Sequence, residues 1–159
     1  MIPTISLAPP RATDHALPTG LLAGLVSVAF LLWRGRADAP HAVAPINAIG
    51  HWVWRDEALR RDDPSLKHTG TGIAVHVASS LLWSTFYGWL RARRRRPTAL
   101  NAAADAAAVT AVAAVVDLAL VPERLAPGFE RRLSKPSLGM VYAGFALGLA
   151  LGGLLALRR

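Results

Sequence analysis

Three ionisable side chains lie inside long apolar stretches of this 159-residue chain, namely His76, Asp105 and Asp117. An aspartate at the centre of a membrane helix costs about 2.5–3.5 kcal/mol on insertion scales, whereas an interhelical hydrogen bond returns about 0.6 kcal/mol on average. One such bond does not offset the cost, so each aspartate needs several partners, a wet cavity or a proton. Ionisable residues at membrane depth often mark proton or ion pathways.

The helical rise predicts which of these residues meet. The two apolar stretches that hold them flank a short link, so their helices run antiparallel, with His76 near the height of Asp117 and Ser84 near that of Asp105. Ser80 shares a helical face with His76 and Ser84, since the three are spaced by four. The two aspartates lie about 120° apart around their helix, so one partner helix cannot easily satisfy both. We favour a structural hydrogen-bond network for this polar seam (His76, Ser80, Ser84, Asp105, Asp117) and keep a proton or ion path as the alternative.

The histidines raise the question of a metal ion or a haem. His51, His68 and His76 belong to one side of the membrane in a four-span topology. With Asp117 they could form a His/carboxylate metal site or a haem-binding pair. Their spacing matches no compact ligand motif, so haem or metal binding is the weakest alternative and no cofactor is predicted. The chain has no cysteine, which excludes disulfides and thiolate metal sites.

Common enzyme signatures are absent from the sequence. It contains no Gly-x-Ser-x-Gly nucleophile elbow, no His-Glu-x-x-His zinc motif and no glycine loop that would cradle a phosphate. We therefore expect a protein that is not an enzyme.

Four apolar stretches, each about as long as a bilayer is thick, hold the candidate residues. About 20 helical residues cross a hydrocarbon core of about 30 Å. Apolar residues make up 53% of the chain, and little remains outside the stretches to build a soluble core. We predict an all-α protein, a four-transmembrane-helix bundle that forms a single integral membrane domain over residues 16–159, preceded by a flexible tail of residues 1–15. The predicted spans cover about residues 16–33, 72–90, 98–121 and 138–157.

The long first loop is predicted to contain an amphipathic interfacial helix over residues 44–61. Pro45 suits the first turn of a helix. Ile46, Ile49 and Trp52 recur at helical spacing, so the helix would lie at the membrane surface or dip into it. Tryptophans also anchor helices in the headgroup layer. The predicted interfacial anchors are Trp33, Trp52 and Trp54.

Glycine spacing predicts where the helices approach one another most closely. Gly144, Gly148 and Gly152 recur every four residues and so share one face of the fourth span. Gly20 and Gly24 have the same spacing in the first span. Small residues allow close backbone contact, which supports helix association in lipid. We favour packing within one subunit and keep a seam between copies of a homo-oligomer as the alternative.

The formal net charge of +8 is a topology signal, because the basic residues flank the apolar spans. Five arginines crowd the short link between the second and third spans. By the positive-inside rule they place this link and both termini in the cytoplasm, although the two long loops carry ten lysines and arginines against eight on the other side. We expect contact with anionic lipid headgroups and no nucleic-acid binding. The five arginines are Arg91, Arg93, Arg94, Arg95 and Arg96.

Two features point to a bacterial inner membrane. Arginine outnumbers lysine 16 to 2, a bias that suits a GC-rich bacterial genome. The second feature is a set of segments, which are Ala44–Trp52, Asp56–Ala58, His76–Ser80, Val116–Asp117 and Pro122–Glu130. Together these segments resemble a family of small uncharacterised proteobacterial inner-membrane proteins with four helices. The resemblance implies the four-span architecture and no particular activity.

These observations favour a small polytopic membrane protein without catalytic activity. It would act as an accessory or assembly subunit of a membrane-protein partner, or as a homo-oligomer packed through its glycine faces. The alternative is a proton- or ion-coupled transport element that uses the polar seam. The third hypothesis is a haem- or metal-binding membrane protein.

Overall fold

The computed structural model describes residues 16–157, and over that range the protein is all-α, as predicted. In chain order the helices are α1 (Ala16–Asp38), α2 (Ala44–Ile49), α3 (His51–Trp54), α4 (Asp56–Leu59), α5 (His68–Ala92), α6 (Ala99–Val115) and α7 (Lys135–Ala156). A π-helical turn, Val116–Leu120, continues α6. Two 3-10 turns, Glu123–Leu125 and Phe129–Arg131, lie between this π-turn and α7. The predicted flexible tail, residues 1–15, falls outside the described residues.

Local sequence explains where two of the long helices begin. Thr98 follows a proline and caps α6, because its hydroxyl accepts the backbone N–H of Asn101 at 3.1 Å. Pro136 occupies the first turn of α7, where a missing backbone N–H costs nothing. Each of the four predicted spans overlaps one long helix, with ends that differ by at most five residues when the π-turn is counted with α6.

Three helices are long and apolar enough to cross a membrane, which supports the prediction of a membrane protein. They are Ala16–Asp38, Ala99–Leu120 and Lys135–Ala156. The remaining long helix, α5, has 25 residues, but it includes His76 together with several serines and threonines and is not among the helices that are apolar enough to cross. The fourth crossing therefore stays a prediction.

α1 packs between α5 and α7, and its longest contact is with the glycine face of α7. A Cβ atom added at Gly148 would lie 2.5 Å from the Cα atom of Ala23, so the two backbones touch directly there. A Cβ at Gly152 would lie 2.6 Å from the Thr19 side chain. Gly144 meets the ring of Phe30 in the same way. Since the contacts run in opposite order along the two helices, α1 and α7 are antiparallel.

The first glycine pair packs against α5 on another side of α1. A Cβ at Gly20 would lie 2.5 Å from the Ser84 hydroxyl, and one at Gly24 would lie 3.0 Å from the Ser80 hydroxyl. Both predicted glycine faces are thus occupied within one chain. This agrees with packing within one subunit, the use that we favour for these glycines. The homo-oligomer and the accessory subunit stay predictions.

The predicted interfacial helix over residues 44–61 is divided into α2, α3 and α4. The chain turns sharply at Arg55, whose φ of 51° ends one short helix and begins the next. α2 is entirely buried between α1 and α5 instead of lying along a surface. Two glycines make this insertion possible, because side chains at Gly35 and Gly72 would collide with the backbone of Ala42 and Ile46.

The predicted tryptophan anchors differ in their surroundings. Trp33 and Trp54 are exposed, as an interfacial anchor requires. Trp52 is half-buried, and its indole Nε1 donates a hydrogen bond to the backbone carbonyl of Ala126 at 2.9 Å. Trp52 therefore joins the first loop to the last one, and its role as an interfacial anchor stays a prediction.

Candidate functional site

A cavity of about 200 Å³ lies inside the bundle, toward the end that the two long loops cover. Its walls come from α1, α5, the π-turn and α7, and α3 contributes Trp52. Most of the lining is apolar or aromatic. The ionisable or phenolic side chains among the lining residues are His76, Asp117 and Tyr142. Two residues of the predicted polar seam, His76 and Asp117, therefore line the same cavity.

His76 presents an unsatisfied nitrogen to this cavity. The side chain is nine-tenths buried on α5, and its Nε2 has no hydrogen-bond partner among the described residues. α5 approaches α1 closely here, because Gly24 has no side chain and a Cβ atom there would lie 3.0 Å from the Ser80 hydroxyl. A neutral imidazole has one N–H donor and one acceptor nitrogen. Nε2 is therefore a buried polar atom that is free to form a hydrogen bond with a ligand in the cavity.

Asp117 lies in the π-turn that ends α6. The turn is closed by a bond from the Val121 N–H to the Val116 carbonyl at 3.0 Å, which is the i to i−5 pattern of a π-helix. Asp117 Oδ2 accepts a hydrogen bond from the Tyr142 hydroxyl of α7 at 3.2 Å. None of the described cationic side chains forms an ion pair with Asp117. The carboxylate thus has one neutral donor and an open side toward the cavity.

Asp105, one of the two predicted seam aspartates, has a different environment. It is almost fully buried, and Arg94 donates to it from Nε at 3.1 Å and again from Nη2. Arg91 Nη1 lies 3.6 Å from the same carboxylate. The carboxylate in turn holds the pKa of Arg94 above its usual value, chiefly through the hydrogen bond. The Asp105 carboxylate therefore has cationic partners within the protein and is not available to a ligand.

The predicted pairing of Ser84 with Asp105 is wrong. Ser84 donates instead to the carbonyl of Ala16 at 2.8 Å, across the interface of α5 with α1. Ser80 donates to the carbonyl of His76 one turn earlier in its own helix, at 2.8 Å. The arginines outcompete the serine because a charged, two-pronged donor binds a carboxylate more strongly than a hydroxyl does.

The five arginines of the short link have separate roles. Arg91 and Arg94 bind Asp105, and the guanidinium of Arg93 lies 3.5 Å from the centre of the Trp89 ring. Arg95 and Arg96 are exposed. The use of these arginines as a topology signal stays a prediction.

The three histidines of the predicted metal or haem site have separate environments. His51 Nδ1 donates to the Ala48 carbonyl at 2.9 Å. His68 lies 3.0 Å from the Ser65 hydroxyl and 3.1 Å from a carboxylate oxygen of Glu57. Among residues 16–157 no group of three or more histidines and acids could hold a metal ion. The predicted set of His51, His68 and His76 is thus not assembled into one ligand sphere.

A layer of loops covers the cavity and holds its open end in place. Arg124 donates to the carbonyl of Trp52 at 2.9 Å, and Arg132 donates to that of Leu59 at 3.0 Å. Gly128 has a φ of 89°, and a side chain there would collide with the carbonyl of Ala48. The last loop can therefore lie directly on α2, which closes the cavity from that side.

Sequence reasoning missed Tyr142 and the aromatic lining of the cavity. Tyr142 had a signal, since it is a polar side chain inside the fourth span, at a height close to that of Asp117. No sequence pattern indicates that Phe129 lines the cavity, because its position depends on how the last loop folds back onto the bundle.

No protein-family model matches this chain, and no curated protein or solved structure shows significant similarity to it.

Proposed function

We propose that this protein crosses the membrane four times and binds a small, largely apolar molecule in the cavity around His76 and Asp117, without converting it. The observation that carries the proposal is the cavity itself. It combines an apolar and aromatic lining with two polar groups, the His76 nitrogen and the Asp117 carboxylate, whose hydrogen-bonding capacity is not used up. Binding sites for small molecules have this composition.

The fourth crossing is supported by the two faces of α5. Its polar side chains His76, Ser80 and Ser84 are buried against the bundle. Its outer face carries exposed apolar side chains, such as Leu82 and Phe86. A helix with polar groups facing the bundle and apolar groups facing outward is suited to contact with lipid, since charged or polar groups rarely face lipid.

The proposed crossing of α5 has a direct test, which the absence of cysteine makes clean. Asp63 and Arg95 are exposed and lie at opposite ends of α5. We expect a cysteine at Arg95 to react with a membrane-impermeant maleimide only from the cytoplasmic side, and a cysteine at Asp63 only from the outer side. Labelling of both from one side would contradict the crossing. The proposed location is a bacterial inner membrane, with both termini in the cytoplasm.

Entry from the lipid phase is supported by the residues at the edge of the cavity. Leu82 on α5 and Leu125 in the last loop line the cavity, yet about half of each residue is exposed on the outer surface. The cavity thus reaches the outside of the bundle between α5 and the π-turn. A molecule dissolved in the bilayer has a direct path into it.

The binding role is tested by filling the cavity. Ala113 is buried and lines it, whereas Ala111 on the same helix is exposed. We expect 2-phenylethanol to bind the protein in nanodiscs, measured by calorimetry against empty nanodiscs. Ala113→Leu should weaken this binding at least tenfold, and Ala111→Leu should leave it unchanged. Equal affinity in the parent and in Ala113→Leu would overturn the proposal.

Proton- or ion-coupled transport is the second candidate. The observation that favours it is the shared cavity of His76 and Asp117. A flux across proteoliposomes that Asp117→Asn abolishes would support it, and a parent protein without flux would exclude it. The clamp on Asp105 by Arg91 and Arg94 argues against an open path to the cytoplasmic side.

A further inference from the structure

We infer that the ligand of this cavity is an organic cation, an amine carried on an apolar body of about the size of one aromatic ring. This inference rests on the proposed binding function and names the ligand class for the same site. Three independent properties of the cavity carry it: its hydrogen-bonding capacity, its charge and its aromatic walls.

The unused hydrogen-bonding groups of the cavity favour a ligand that donates hydrogen bonds. His76 Nε2 is a buried nitrogen without a partner, and Asp117 is an acceptor with one neutral donor. The nearby donors Tyr142 Oη and Trp52 Nε1 are already engaged, with Asp117 and with the Ala126 carbonyl. An ammonium group has three donors and no acceptor, so it can donate to the Asp117 carboxylate and still have donors to spare.

The charge of the cavity is uncompensated on the protein side. Asp105, on the same helix, is neutralised by Arg91 and Arg94, whereas Asp117 has no cationic partner among the described residues. Asp117 is half-buried, and a carboxylate removed in part from water gains more from a positive charge in direct contact than an exposed one does, since the interior screens charge weakly. A ligand ammonium would supply to Asp117 the charge that the arginines supply to Asp105.

The aromatic walls suit the same ligand class. Five aromatic side chains line the cavity, namely Trp52, Trp83, Phe129, Tyr142 and Phe145. Ring faces attract organic cations through the negative potential of the π system, most strongly when the contact is desolvated. The volume of about 200 Å³ limits the size, because an apolar cavity of about 150 Å³ already holds benzene.

Three probes with one phenyl ring separate these contributions. They are 2-phenylethylamine, 2-phenylethanol and phenylacetate, which are cationic, neutral and anionic at neutral pH. Binding is measured in nanodiscs of zwitterionic lipid, so that the membrane surface does not attract the amine. We expect the amine to bind at least tenfold more tightly than the alcohol, and phenylacetate to show no binding.

Asp117→Asn tests the source of this preference. It should weaken amine binding at least tenfold and change alcohol binding less than threefold. The matched control is Asp63→Asn, an exposed acid outside the cavity, which should change neither. The probe comparison in the parent protein needs no variant, so it decides the question even if Asp117→Asn does not fold.

The outcomes distinguish the two proposals. If the alcohol binds the parent as tightly as the amine does, or if Asp117→Asn leaves amine binding unchanged, the cation inference is overturned while the binding function stands. If no probe binds, or if Ala113→Leu binds all probes like the parent, the binding function itself fails.

Discussion

The two ends of α6 each carry one aspartate, and the bundle treats them in opposite ways. At the end near the arginine-rich link, Asp105 is bound by Arg91 and Arg94. At the loop-covered end, Asp117 has only the Tyr142 hydroxyl and faces a cavity. The same residue type therefore stabilises the fold at one end and remains available for a ligand at the other. The difference comes from which long donors can reach each carboxylate.

The largest difference in stability between the two ends is expected when the charge of Asp105 is removed. Asp105→Asn should lower the free energy of unfolding by about 3 kcal/mol, because it leaves two arginines partly buried without a counter-charge. This is the lower end of the range for a broken buried pair, since Arg94 stays 40% exposed. The measurement is unfolding by sodium dodecyl sulfate in mixed micelles.

The matched change at the other end is Asp117→Asn, which removes no ion pair. We expect its free energy of unfolding to stay within about 1 kcal/mol of the parent value. Equal losses in the two variants would mean that both aspartates are structural, and the distinction between the two ends would disappear.

The packing of α1 on α7 holds both ends in register, and one methyl group should disturb it. Gly148→Ala places a Cβ atom 2.5 Å from the Ala23 backbone, so the helices must separate, at a cost of about 2 kcal/mol. Gly139, earlier on α7, has no atom near its Cβ position. Gly139→Ala should instead stabilise the protein by about 0.5–1 kcal/mol, because alanine favours helix. A loss of stability in both variants would indicate a general intolerance of α7 rather than a close contact.

One tyrosine hydroxyl forms a hydrogen bond at each end of the bundle, and each bond is expected to make a smaller contribution to stability. Tyr142 donates to Asp117, and Tyr87 donates to the Ala102 carbonyl near Asp105, both at 3.2 Å. Tyr142→Phe and Tyr87→Phe should each cost about 1 kcal/mol, the usual net contribution of one hydrogen bond. The same unfolding assay measures both. A Tyr142→Phe protein as stable as the parent would show that this bond contributes nothing to holding Asp117.

The smallest expected effect concerns the loop layer beside the cavity. Lys67 donates to both carboxylate oxygens of Glu57, at 2.7 and 2.8 Å, and His68 lies next to one of them. The Lys67 hydrogen bond is the main cause that lowers the pKa of Glu57 below its usual value of 4.5. Since the folded-state pKa is the lower one, the stabilisation is present above about pH 4.5 and is lost as the pH falls through the lowered value.

Hydrogen exchange at the amides of α4 measures this effect. Protection in the parent protein should decrease on acidification, and Glu57→Gln should remove that part of the decrease. Because Glu57 is more than half exposed, the change is small. Identical pH profiles for the parent and Glu57→Gln would contradict the assignment.

Much of the fold was predictable because membrane helices are specified by local pattern. Apolar stretches of about 20 residues locate all four long helices, with ends that differ by at most five residues, and glycines at intervals of four identify the faces that pack. The first loop was not predictable in this way. Its helical spacing is real, but Gly35 and Gly72 on distant helices decide that α2 is buried and that the predicted helix is divided.

The candidate site was predictable only in part. The antiparallel arrangement of α5 and α6 correctly relates the heights of His76 and Asp117, because helical rise is constant. Similar predicted heights did not make Ser84 the partner of Asp105. Height compares backbone positions only and ignores the length of arginine side chains. Arg91 and Arg94 read as topology signals in the sequence and become ligands of a buried carboxylate in the structure.

The sequence by itself determined the helical class, the positions of the long helices and the residues that must be shielded from lipid, because each depends on the local run of apolar and polar side chains. The tertiary structure alone decided which aspartate is neutralised and which is left open, and it alone formed the cavity. Both outcomes depend on contacts between segments far apart in the chain, such as Tyr142 with Asp117 and Trp52 with Ala126. Such contacts are set by how helices and loops pack, and no local pattern encodes them.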